Sequence, residues 1–172
     1  MATVKLKQSV PNSAHEEPML KATNTGIREL TQPAWLVNFC DIYQQLNTKN
    51  LLMIKDIYSV DIEFSDPMHT IKGLDHLLQY FDQLYTNLQS CSFVIDNAIH
   101  NENSAAIYWT MEFVHPQLNR GRVVIVEGSS LLKAKDGKVC FHRDYLDVGA
   151  MLYEHVPVVG RIIKAIKSRA VT

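Results

Sequence analysis

Near Cys91 the apolar period of this 172-residue chain changes from helical to alternating, and that change limits the folds open to it. Upstream, Trp35, Phe39, Ile42, Tyr43 and Leu46 share one helical face behind Pro33, whose missing N–H suits a first helical turn. Leu51, Ile54, Ile57 and Tyr58 predict a second, short helix. The most regular helix follows Gly73, with Leu74, Leu77, Leu78, Phe81, Leu84, Tyr85 and Leu88. Between the last two, Val60, Ile62 and Phe64 alternate with Asp61, Glu63 and Ser65 as a half-buried strand, which Asp66-Pro67 ends. Downstream, residues 91–95, 107–113, 122–132 and 139–148 read as strands, the last two joined by an Asp136-Gly137 hairpin turn. Residues 156–169 close the chain as an amphipathic helix.

Helices gathered on one face of an antiparallel sheet make an α+β domain. The expected architecture is a cone: a long curved antiparallel sheet with helices packed on its concave face and an interior able to hold a ligand. The expected organisation is an irregular N-terminal extension over 1–30, a domain over 31–150 and the C-terminal helix over 151–172.

Composition narrows the function. Lys and Arg total 17 against 18 Asp and Glu, so the clustered basic excess that nucleic acid requires is missing. No apolar run approaches the ~20 residues that cross a bilayer, and residues 1–26 lack the apolar stretch of a secretory signal. Cys40, Cys91 and Cys140 are odd in number and far apart, which fits free thiols in a cytoplasmic protein better than a disulfide framework.

Two local motifs stand in register with the element order. One is Glu63-Phe64-Ser65-Asp66-Pro67 followed by Gly73; the other is Gly137-Lys138-Val139 leading to His142-Arg143-Asp144-Tyr145-Leu146-Asp147. With them, residues 33–150 resemble the nuclear transport factor 2-like (cystatin-like) superfamily, in particular its SnoaL-like bacterial branch. The resemblance implies a cone fold, a homodimer through the outer sheet face around Tyr108, Thr110 and Glu112, and an apolar small-molecule pocket. It also implies three catalytic templates. Asp66 matches the general base of ketosteroid isomerases, but the oxyanion-hole positions fall at Ile42 and Gly128, with Tyr43 one residue off. Asp144 matches a catalytic aspartate of limonene epoxide hydrolases, but its partners fall near Met111 and Phe113. Asp144 also matches the single acid/base of SnoaL-like polyketide cyclases, and this template meets the fewest contradictions.

Strand alternation puts Cys140, His142, Asp144 and Leu146 on one face. If Asp144 faces the cavity as the resemblance implies, His142 does too, and the two form a candidate acid/base pair. The alternative is a buried, hydrogen-bonded pair without chemistry. Asp66 reads either as a second carboxylate at the cavity mouth or as a turn residue capping backbone N–H groups. His69 lies close by in the same loop. Trp109, Met111 and Phe113 would give the pocket an aromatic and thioether wall suited to a flat apolar ligand, with Tyr43 and Tyr58 offering hydroxyls. His69, His142 and either aspartate could imitate a two-histidine, one-carboxylate metal site, but no diagnostic spacing supports it, and neither metal nor organic cofactor is expected. The basic side of the C-terminal helix is expected to be solvated, its apolar side packed on the domain or a partner subunit, with no membrane contact. The leading expectation is acid/base chemistry on an apolar carbonyl or polyketide-like compound; the rival is a non-catalytic binding or interaction module.

Overall fold

The computed structural model describes residues 32–170, so the expected N-terminal extension lies outside the described residues. Helix α1 (Ala34–Gln45) starts behind Pro33, whose carbonyl accepts from Leu36 N–H and Val37 N–H, and buries Leu36, Phe39, Ile42 and Tyr43. A 3₁₀ turn (Leu51–Asp56) replaces the expected short helix and leads into β1 (Tyr58–Ser65). A short strand that the sequence pattern did not mark, β2 (Thr70–Lys72), folds back on β1. Gly73, at φ 87°, turns the chain into α2 (Leu74–Thr86), whose Leu77, Tyr80, Phe81 and Tyr85 are buried.

Four long strands follow: β3 (Ser90–His100), β4 (Ser104–Val114), β5 (Val124–Lys135) and β6 (Lys138–Leu146). Asp136 and Gly137 both take positive φ between β5 and β6, the two-residue turn that the Asp-Gly pair predicts. The sheet order is β2-β1-β6-β5-β4-β3, and helices α1 and α2 pack on β3 and β1. The fold is thus α+β, with a curved, unclosed six-stranded sheet. Expectation and structure differ in one pairing. β1 joins β6 in parallel, so the sheet is mixed, because alternation sets which face a side chain takes but not which strand lies beside it.

Register shifts interrupt three strand pairs, and extra residues of this kind bend a sheet. One of them corrects the facing of Cys140. Ala134 pairs with Val139 and Lys133 with Phe141, so Cys140 is the extra residue, and Val139 and His142 both turn inward. Beyond β6, Asp147 caps a short helix, α3 (Val148–Met151), by accepting from Ala150 N–H. A 3₁₀ turn (Tyr153–His155) then leads to α4 (Val159–Arg169).

Candidate functional site

The concave face of the sheet, α2 and the turn after β6 enclose a cavity of about 380 Å³. Phe64, Phe81, Phe93, Trp109, Met111 and Phe113 make most of its wall, and Met151 and Leu152 come over it from α3. Tyr43, Asp66, Asp144, Gln83, Asn87 and His115 add the polar edges. Of the residues picked out in the sequence, Asp66, Asp144, Tyr43, Trp109, Met111 and Phe113 line this space, whereas His142, Tyr58 and His69 do not.

His142 lies behind the wall. It is fully buried, with the Phe64 ring edge-on at 5.0 Å and the Phe39 ring edge-on at 5.7 Å. Its Nε2 lies 2.7 Å from Asp144 Oδ1 and its Nδ1 2.5 Å from the Tyr58 hydroxyl. The reason is the register of β1 against β6, which sets Phe64 beside His142 and covers the imidazole from the cavity side. Tyr58, equally buried, serves as the partner behind the histidine rather than as a hydroxyl facing the cavity.

Asp144 is therefore held from behind. Oδ1 also accepts from Ser130 Oγ at 2.5 Å, and Ser130 Oγ in turn accepts from the Trp109 indole N–H at 2.8 Å. A carboxylate only accepts, so Nε2 supplies the proton to Asp144 and the Tyr58 hydroxyl supplies one to Nδ1. Two donor chains, Tyr58 to His142 and Trp109 to Ser130, thus end on the same oxygen. Burial pushes the Tyr58 and Tyr43 phenols well above the ordinary tyrosine value of 10.0, so both stay neutral donors. Among the described residues, Asp144 Oδ2 has no hydrogen-bonding partner, and the carboxylate keeps 13% of its surface exposed. One oxygen is engaged by the protein, and the other remains for something in the cavity.

Asp66 is placed differently. Its Oδ1 accepts from Met68 N–H and His69 N–H, both at 2.7 Å, and its Oδ2 accepts from the Tyr80 hydroxyl. It sits at the cavity but caps the turn after β1 with both oxygens occupied. Burial, followed by the bond to Asp66, raises the Tyr80 phenol far above its ordinary value, which keeps it a donor. His69 is turned away from the cavity, its Nδ1 3.2 Å from the Tyr80 hydroxyl. The metal grouping weighed above therefore does not assemble: among the described residues no cluster of three or more His, Cys, Asp or Glu could hold an ion.

The two apolar template positions on β4, Met111 and Phe113, face the cavity, and Gly128 lies under Trp109, where an added Cβ would come within 2.3 Å of the indole ring. Ser130 and Tyr80 escaped the sequence reading. Ser130 did leave a signal, as the lone hydroxyl on the inward face of β5 among Val124, Val126, Leu132 and Ala134. Tyr80 left none, because it sits within an ordinary apolar helical face.

A model of the SnoaL-like domain family matches residues 40–142. Among solved structures, a candidate SnoaL-like polyketide cyclase from Jannaschia sp. CCS1 is similar, with 11% identity, a TM-score of 0.60, and coverage of 71% of this chain and 93% of that one. So is a protein with a ketosteroid isomerase-like fold from Catenulispora acidiphila DSM 44928, in complex with trimethylamine (13%, TM-score 0.61, 71% and 92%). A limonene epoxide hydrolase-like epoxide hydrolase from M. tuberculosis is a third (14%, TM-score 0.55, 68% and 83%). At these identities the likeness is one of fold. No curated protein matches the chain.

Proposed function

The chain belongs to the SnoaL-like domain family, and from that premise we propose that its cavity binds a flat, apolar small molecule bearing a carbonyl, on which Asp144 acts as acid/base. One observation carries the reading: Asp144 is fixed through Oδ1 by His142 and Ser130, and its other oxygen, at an aromatic cavity, has no partner among the described residues. A carboxylate positioned this way can take a proton from a carbon or hydroxyl acid and return it to a carbonyl oxygen, as a cyclisation or isomerisation requires. The apolar wall excludes water and strengthens that interaction. His142 does not touch the cavity, so it acts as a positioning residue, and Asp66 holds the loop that forms the mouth. All of this uses the chain's own side chains, without cofactor. The exposed outer sheet face around Tyr108, Ile125 and Tyr145 would join two copies isologously, and the free thiols fit the cytoplasm.

The test is turnover of aromatic polyketide-like carbonyl compounds by wild type and Asp144→Asn. The reading expects the variant to bind such compounds and convert them at least about 100-fold more slowly. Equal turnover by both proteins removes Asp144 from the chemistry.

A second reading is non-catalytic binding, favoured by the apolar residues at template positions Ile42, Met111 and Phe113 and by the occupied oxygens of Asp66. It expects ligands to raise the melting temperature of both proteins equally while nothing is converted.

A further inference from the structure

The cavity has a second polar corner that the chemistry at Asp144 does not use. Asp144 pairs across the sheet with Ser130, and Ser130 with Ile107, so the acid stands level with Ile107 in the inward row of β4. That row continues through Trp109, Met111 and Phe113, and His115, one residue beyond the strand, follows at the same alternation. From Trp109 to His115 it covers roughly 20 Å of strand. Gln89 N–H donates to the Val114 carbonyl at 2.8 Å and ties the chain after α2 to the end of β4. Asn87 and His115 lie just beyond this bond on its two sides, and Gln83 stands one turn before Asn87, the residue that caps α2. All three line the cavity, at the end remote from Asp144.

These side chains have bonding capacity left over. Gln117 N–H donates to His115 Nδ1 at 3.1 Å, so Nδ1 is the accepting nitrogen and Nε2 carries the proton. Among the described residues Nε2 has no hydrogen-bonding partner, and neither have the side-chain amides of Asn87 and Gln83. Their neighbours at the cavity include Leu84, Leu88 and Leu118, which offer no competing polar group. A ligand atom here must accept from the imidazole, while the amides both give and take, and a hydroxyl suits all three. Charge decides against an acid: Asp66 and Asp144 line the same cavity and no Lys or Arg does, so an anion would enter among carboxylates without a counter-ion. An ammonium group only donates and cannot use the imidazole N–H. From this fixed donor and the two amides, set across an aromatic cavity from Asp144, we propose that His115, Asn87 and Gln83 bind a neutral hydroxyl at the far end of the ligand. The proposal rests on the cavity being a small-molecule site and goes beyond it, since it requires a ligand with an oxygen function at each end.

The experiment titrates the full chain calorimetrically with three probes that share one acetyl group. They are acetylbiphenyl, the same compound with a hydroxyl at the para position of the far ring, and the same with a carboxylate there. The hydroxyl compound is expected to bind about fivefold more tightly than the parent, as a net hydrogen bond allows, and the carboxylate more weakly than either. His115→Leu should bring the ratio of hydroxyl to parent affinity close to one. Asn87→Ala should lower that ratio about twofold; its side chain is exposed and holds nothing else in place, so this variant reads the site even if His115→Leu disturbs the turn at Gln117. A hydroxyl compound bound no more tightly than the parent, a ratio that neither variant moves, or a carboxylate bound most tightly would overturn the proposal and leave the cavity a small-molecule site. Binding of none of the three would overturn that reading and the proposal with it.

Discussion

His142 stands behind Asp144 rather than beside it: Nε2 reaches Oδ1 across 2.7 Å from a position with no solvent exposure. Two residues apart on one strand face, they occupy different depths, and only the carboxylate meets the cavity. The histidine's other nitrogen is held by the Tyr58 hydroxyl, so orientation of the carboxylate depends on a buried phenol supplied by the neighbouring strand β1.

Removing that phenol should therefore cost stability. Tyr58→Phe keeps the ring and its packing but leaves a buried imidazole nitrogen without its donor. The expected loss is about 1–3 kcal/mol in urea denaturation, the usual cost of a buried polar atom left unpaired. A change within error would mean that His142 satisfies Nδ1 some other way.

Gly128→Ala tests the seating of Trp109. The two residues pair across β4 and β5, and the new methyl would lie within 2.3 Å of the ring. The indole must then swing from the cavity wall and lose its bond to Ser130. A destabilisation of about 1–3 kcal/mol is expected, with a red shift of tryptophan emission. Unchanged emission and stability would contradict the close stacking.

Cys91 lines the cavity, and burial lifts its thiol to about 11. The thiolate is the reactive form, so alkylation of Cys91 at neutral pH should be slow and rise steeply only as pH approaches that value. Mass spectrometry after iodoacetamide labelling at a series of pH values measures this. A cavity ligand should slow it further, and fast labelling at neutral pH would show the cavity to be wetter than its lining implies.

The anchoring of α4 should depend on pH at both ends. The Asp147 carboxyl is held below its ordinary 3.8 by Ala150 N–H and then Lys167, so its contribution is present above 3.8 and is lost as pH falls through the lowered value. The Lys167 ammonium is raised above 10.5 by Glu154 and then Asp147, so its contribution is present below 10.5 and is lost as pH rises through the raised value. Protection of the α4 amides, relative to their intrinsic exchange rate at each pH, should be highest between these limits and lower in about 1 M salt, because the ion pairs are exposed. Gly160→Ala should lower it at every pH, since an added Cβ would lie 2.2 Å from the Glu154 carbonyl oxygen. Protection factors that ignore pH, salt and this variant would place the anchor elsewhere.

Much of this was legible in the residues. The switch of apolar period at Cys91 marked where helices yield to strands, and Asp136-Gly137 marked the last hairpin, because both signals depend on neighbours along the chain. Alternation also set Asp144 and His142 on one face, which the family resemblance turned inward. It misjudged Cys140, since a single extra residue reverses facing and no local pattern announces a bulge. β2, three residues long, was too short to display a period.

What the sequence alone determined, then, is what bonded neighbours decide: which stretches coil, which extend, where they turn, and which faces are apolar. Tertiary structure decided the rest. The parallel seat of β6 beside β1 brought Phe64 and Tyr58 over His142 and separated it in depth from Asp144, and packing of Gly160 on Glu154 turned the apolar stripe of α4 outward. Both outcomes depend on contacts between residues distant along the chain or on a helix's rotation about its own axis, neither of which a one-dimensional pattern encodes.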